Sequence, residues 1–188
     1  MSLNLSELYV EIIIGPMFSG KTSRLISECK KYRDKNIKTI LISSKIDTRD
    51  DNSVITHDGN KFEAIKTNKL NSIIDNEEFQ HAEVVCIDEA QFFDDLYNFI
   101  LNIEHMKKLI IISGLDADSD RKKFGQIIDC IPLCNKIEKL EAQCMLSNNG
   151  AKASFSKRIV NKLDTIDVGG NDKYKAVCRN KFINNINF

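Results

Sequence analysis

The chain has 188 residues, 42% of them hydrophobic, and its 27 basic and 27 acidic side chains cancel to a net charge of zero. That length and apolar content fit one principal domain with room for a small appendage and exclude a disordered chain. The balanced charge removes the electrostatic argument for nucleic acid or an anionic membrane and leaves a small molecule as the default partner. No basic segment leads into a long apolar stretch at the N-terminus, and no apolar run approaches the roughly 20 residues that span a bilayer, which predicts a soluble cytoplasmic protein. Six cysteines lie scattered through apolar segments and read as reduced thiols, mostly core filler.

The first element is "YVEIII" (9–14), a continuous β-branched run of the kind found in strands covered on both faces. Next comes "GPMFSGKT" (15–22), in which Gly15, Gly20, Lys21 and Thr22 satisfy the Walker A pattern. The glycines let backbone N–H groups wrap phosphate oxygens, Lys21 neutralises their charge, and the Thr22 hydroxyl is placed to ligate Mg²⁺. The pattern falls between a predicted strand and a predicted helix, so the helix N-terminus points at the anion. In that helix Leu25, Ile26, Cys29 and Tyr32 share one stripe, while Lys30, Lys31, Arg33 and Asp34 populate the rest.

Further strands are predicted at 38–44, 82–88 and 108–116. Between the last two, Phe93, Leu96, Ile100 and Ile103 repeat at helical spacing and predict a second helix through Lys108, with a basic C-terminus suited to its dipole. Strands alternating with helices imply an α/β fold with a parallel, right-handed sheet and helices on both faces. "VVCIDEAQFF" (84–93) ends its strand in Asp88, which fits the Walker B carboxylate that holds Mg²⁺. Glu89 follows, and adjacent residues at a strand end face opposite sides, so the two acids serve different ligands. After about residue 140 the chain turns into short β-prone pieces separated by polar turns. The predicted division is a nucleotide-binding α/β domain over 1–140 and a small β-rich unit over 141–188. These features alone predict a Mg-nucleotide site and leave a motor, a switch and a small-molecule kinase open.

Taken together and in order, "GPMFSGKT", "DEAQFF", "GLDADSDRKKFG", "IPL", "SFSKR", "GGNDKY" and "AVCR" resemble the type II thymidine kinases, cytosolic and viral, from about residue 10 to 181. The resemblance implies a P-loop fold of the Walker type with a small β lasso over the nucleoside, assembled as a homotetramer. It also implies transfer from ATP, with Mg²⁺, to the 5′-hydroxyl of thymidine and of deoxyuridine, with dTTP as feedback inhibitor. Glu89 is the general base it implies. ATP and its phosphates fall to Gly15, Pro16, Met17, Phe18, Ser19, Gly20, Lys21, Thr22, Asp47, Thr48, Arg49, Asp88 and Gln91, and Mg²⁺ to Thr22 and Asp88. The acceptor falls to Met17, Phe92, Phe124, Ser156, Tyr174 and the backbone of Thr165, Ile166, Asp167, Val168 and Gly169. Met17 would face the thymine methyl, Pro16 would stiffen the turn, and Phe18 is expected to pack into the core beneath the loop.

Two departures stand out. The family ties its lasso with a zinc held by four Cys or His ligands, of which Cys144 and Cys178 remain while Ser147 and Lys181 occupy the other two positions. Two thiolates do not close a tetrahedral site, so zinc is expected to be absent and Phe155 and Phe182 to help tie the lasso. Where the family has a Phe-Gln pair, Ser119 and Asp120 replace an apolar contact with a charge, which predicts weaker acceptor binding. These losses motivate an alternative reading, a non-catalytic nucleotide sensor derived from the family.

Overall fold

The structure, a computed structural model, describes residues 3–46, 53–55, 61–160 and 170–184. Strand β1 (Tyr9–Gly15) runs through the glycine loop into helix α1 (Lys21–Arg33), followed by β2 (Thr39–Ser44), the hairpin β3 (Ser53–Ile55) and β4 (Lys61–Glu63), and β5 (Ile65–Thr67). Helix α2 (Glu77–His81), β6 (Val84–Asp88), α3 (Leu96–Asn102), β7 (Leu109–Leu115) and β8 (Lys136–Lys139) come next. The chain ends in β9 (Ala142–Gln143), β10 (Lys152–Ala153), β11 (Phe155–Arg158), β12 (Tyr174–Val177) and α4 (Arg179–Ile183).

The main sheet has the order β5-β2-β6-β7-β1-β8, and every neighbouring pair is parallel. Alternation along each strand splits its side chains between two cores. Val10, Ile12, Val85, Ile87, Ile110 and Ile112 pack with Phe79, Phe99 and Ile100 on one face. Ile13, Val84, Cys86 and Ile111 pack with Leu25, Ile26 and Cys29 of α1 on the other. Helices cover both faces, which is why these strands read as unbroken apolar runs. The protein is an α/β P-loop fold with additional small β-sheets.

Two sheet strands escape the sequence reading. In β8, Lys136, Ile137 and Lys139 are exposed at the sheet edge, so no apolar run marks it, and β5 is only three residues long. The second long helix is also shorter than predicted. It starts at Leu96 and ends at Asn102, leaving Lys108 outside it. Instead of serving that helix's dipole, Lys108 is buried and its Nζ donates to the carbonyls of Phe79, Gln80 and Ala82 at 2.9, 2.9 and 2.6 Å, closing the C-terminal end of α2. Burial pushes its ammonium below the ordinary lysine range, yet three acceptors compensate the charge. Lys108→Met is expected to cost about 2–4 kcal/mol in denaturant unfolding by orphaning those carbonyls. A loss below about 1 kcal/mol would mean that water replaces the ammonium without penalty.

Beyond β8 a separate small core gathers Ala142, Cys144, Ala153, Ala176 and Val177, with Phe155 and Phe182 against it. The rings of Phe155 and Phe182 meet as expected, 5.5 Å between centroids. Phe18 departs from its expected place. With φ 64° its ring packs against this small core and not beneath the loop into the sheet.

Candidate active site

Parallel strands bring their C-terminal ends to one edge of the sheet, the usual place for ligands in open α/β folds. Here that edge carries the glycine loop after β1 and the acidic pair after β6, with β7 between them. Gly15 adopts φ 152°, and a Cβ at that position would lie 2.5 Å from the Leu140 carbonyl oxygen, so the loop can pass only as glycine. Gly20, at φ 82°, is the N-cap of α1, whose first turn carries no acidic side chain. Lys21 is buried and its Nζ donates to the Pro16 carbonyl at 2.7 Å, as does the Ser19 hydroxyl at 2.8 Å. The Met17 amide donates to Ser156 Oγ at 2.9 Å, so a side chain of β11 holds the loop from outside. Gly15 through Gly20 thus form one loop that runs into Lys21 and Thr22 of α1, and Ser156, assigned by resemblance to the acceptor, is in contact with it.

Asp88 is buried on the α1 side of the sheet, where Thr22 donates to its Oδ2 at 3.0 Å and the Ser113 hydroxyl of β7 donates to its Oδ1. Burial, reinforced by the neighbouring Glu89 charge, pushes Asp88 up to about 6 despite those two hydrogen bonds. An exposed aspartate titrates near ~3.9, so the folded metal-free protein holds this proton more tightly than the unfolded chain does. Its contribution to stability therefore falls as pH rises from about 4 to 6 and stays depressed by roughly 3 kcal/mol above that window. Asp88→Asn is expected to raise the melting temperature of the metal-free protein by several degrees at pH 7 and little near pH 4.5. An equal gain at both pH values would contradict the assignment.

Glu89 sits at φ 52°, a left-handed conformation that costs a non-glycine residue energy and is enriched at functional sites. Gln91, buried two residues on, donates from Nε2 to Glu89 Oε2 at 2.6 Å while its Oε1 accepts the Leu115 amide at 2.9 Å. Its amide is engaged at both ends, which fits orienting Glu89 better than gripping phosphate. Phe92 and Phe124 meet edge to face with centroids 5.7 Å apart. Tyr174 is buried in β12, its hydroxyl accepting from Arg158 at 2.6 Å. Asp47, Thr48, Arg49 and Thr165, Ile166, Asp167, Val168 and Gly169 lie outside the described residues.

A phosphate loop, a carboxylate hydrogen-bonded to its threonine and a second, strained acid beside it suit phosphoryl transfer. Comparison with known proteins narrows this further. The thymidine kinase family profile matches residues 8–182. The chain belongs to the thymidine kinase family. It is 42% identical over 171 residues to the thymidine kinase of sheeppox virus, covering 91% of this chain and 94% of that protein. The vaccinia virus (strain Western Reserve) thymidine kinase is 38% identical over 175 residues, 93% and 97% of the two chains, and that of myxoma virus (strain Uriarra) is 39% identical over 170 residues, 90% and 93%.

Within the candidate site of this thymidine kinase family member, two features escape the sequence reading. Ser113 lies at the end of the apolar run of β7, and that position at a strand's C-terminal end is its only signal. The bond from Met17 to Ser156 joins residues 139 positions apart, and no local pattern announces it. In the small core beyond β8, Cys144 and Cys178 are neighbours, the Cys178 amide donating to Cys144 Sγ at 3.2 Å. Ser147 donates to Asn149 and points its hydroxyl into a turn. Among the described residues, no three Cys, His, Asp or Glu side chains are grouped to hold a metal. Among the described residues, Cys144 and Cys178 bring two sulfurs together, short of the four donors of a tetrahedral zinc site. Among the described residues, no helix is long and apolar enough to cross a membrane.

Proposed function

We propose that this chain transfers the γ-phosphoryl group of ATP to the 5′-hydroxyl of thymidine, and of deoxyuridine, giving the 5′-monophosphate for deoxynucleotide salvage. The observation that carries this reading is Glu89, a strained acid held by Gln91 at the sheet edge that also carries Lys21 and Thr22. The relatives named thymidine kinase support the choice of acceptor.

Phosphoryl transfer asks little covalent chemistry of the protein, because the transition state is loose and the acceptor hydroxyl loses its proton late. Glu89 orients that hydroxyl and accepts the proton. Lys21 leaves the Pro16 carbonyl for the phosphates, where it offsets charge developing on the transferred group. Thr22 and Asp88 present hard oxygen donors 3.0 Å apart, a set suited to Mg²⁺, which would supply charge neutralisation between the phosphates. Met17, Phe92, Phe124 and Tyr174 would enclose the base, with Phe92 and Phe124 already in contact.

Incubation with ATP, Mg²⁺ and a panel of nucleosides, followed by detection of nucleoside 5′-monophosphates, tests the proposal. Thymidine-dependent product supports it. Tight binding of thymidine or dTTP without turnover would replace it with the sensor reading, and nucleoside-independent ATP hydrolysis would place the protein among P-loop ATPases. We also propose that the purified protein carries no stoichiometric zinc. Elemental analysis is expected to give far less than one zinc per chain, and a value near one would refute it.

A further inference from the structure

The six free cysteines fall into three neighbouring pairs of different character. Cys29 and Cys86 touch between α1 and β6, but both are fully buried in the core. Cys130 is buried as well, and desolvation pushes its thiol up to about 12, which leaves it inert beside the half-buried Cys134. The pair in the lasso differs. Cys144 is buried under the small core while Cys178 is partly exposed at the end of β12.

Strand pairing fixes their proximity. The Met145 amide donates to the Ala176 carbonyl at 2.9 Å, and the Ala176 amide donates to Met145 Sδ at 3.3 Å, so the residue after Cys144 is stitched to the residue two before Cys178. The Cys178 amide then lies 3.2 Å from Cys144 Sγ, and the two thiols are within hydrogen-bonding reach of each other. Cys178, the more exposed of the two, is the thiol that a disulfide in solution reaches first.

We propose that Cys144 and Cys178 form a reversible intrachain disulfide, a redox-controlled tie across the lasso at the position where the family's zinc clamp is incomplete in this chain. The reaction is thiol–disulfide exchange with a small-molecule disulfide such as oxidised glutathione. The Cys178 thiolate attacks one glutathione sulfur and releases the first glutathione thiolate. Cys144, after losing its proton, attacks the Cys178 sulfur of the mixed disulfide and releases the second. Two protein thiols are oxidised, one glutathione disulfide is reduced to two thiols, and two protons leave the protein. The bond closes a span of 34 positions that contains β10, β11 and β12, and such a closure restricts the unfolded segment more than the folded one. This inference is independent of the kinase reading, since it needs neither nucleotide nor catalysis.

The test treats the native full-length protein with oxidised glutathione, quenches in acid, alkylates the remaining thiols under denaturing conditions and maps disulfides by mass spectrometry. A Cys144–Cys178 cross-linked peptide as the dominant product, lost on adding dithiothreitol, is the expected result, together with slower proteolysis between the two cysteines. In Cys144→Ser, the same treatment is expected to leave Cys178 as a glutathione adduct. The proposal is overturned if wild-type Cys178 stops at that adduct, if it pairs with another cysteine, or if the cross-link joins two chains. The wild-type measurement stands alone should the serine variant fold poorly.

Discussion

Glu89→Gln is expected to lower the kcat for thymidine phosphorylation by about 10²–10⁴ while leaving the KM values for ATP and thymidine within a few-fold, because the amide keeps the shape and hydrogen-bonding reach of the acid but cannot accept the hydroxyl proton. The backbone at φ 52° and the hydrogen bond from Gln91 to Oε2 make the result specific to position 89, since together they fix where this carboxylate is presented. Asp88→Asn should act differently, weakening the response to Mg²⁺ before it reduces the limiting rate. Single-turnover measurements at saturating Mg²⁺ separate the two. A loss smaller than about tenfold in Glu89→Gln would remove this acid from proton transfer.

Gly125→Ala is the second large effect expected. Gly125 has φ 61°, and a Cβ there would lie 2.2 Å from the Gln91 carbonyl oxygen and 2.8 Å from its carbonyl carbon. Both atoms are backbone, so the collision is relieved only by moving the segment that carries Gln91 and, through its amide, Glu89. A destabilisation of about 3–5 kcal/mol is expected, and in whatever fraction folds, kcat should fall more than KM rises. Gly150 provides the control. It has φ 71° and nothing within 4 Å of the point a Cβ would occupy, so Gly150→Ala should cost only the left-handed penalty, about 1–2 kcal/mol, and leave turnover intact. Equal losses in the two variants, measured by urea unfolding, would show that conformation and not the close approach to Gln91 matters at position 125.

The parts of the site that could be read in the sequence are those built from local chain. Gly15, Gly20, Lys21 and Thr22 work through their spacing within one turn, and Asp88 and Glu89 through their place at the end of an apolar strand, so both groups carry their geometry with them. Ser113 and Gly125 act on partners far away in the chain, and their residue types are ordinary; Ser156 is named by the resemblance, but its bond to Met17 is not. Phe18 misleads for a related reason: an aromatic after a buried strand reads as core, and only its positive φ sends the ring to a different one. The central strands are legible because helices cover both faces. β8 is not, because an edge strand that exposes lysines looks like a loop.

Phe18 and the Met17–Ser156 hydrogen bond join the glycine loop to the small core built beyond β8. The eight-residue signature is therefore not self-sufficient: cutting the chain after β8 would preserve every letter of it and remove the brace that shapes it. The same seam makes the shape of the loop depend on the placement of β11, so that a substitution at Ser156 is felt at the Met17 amide.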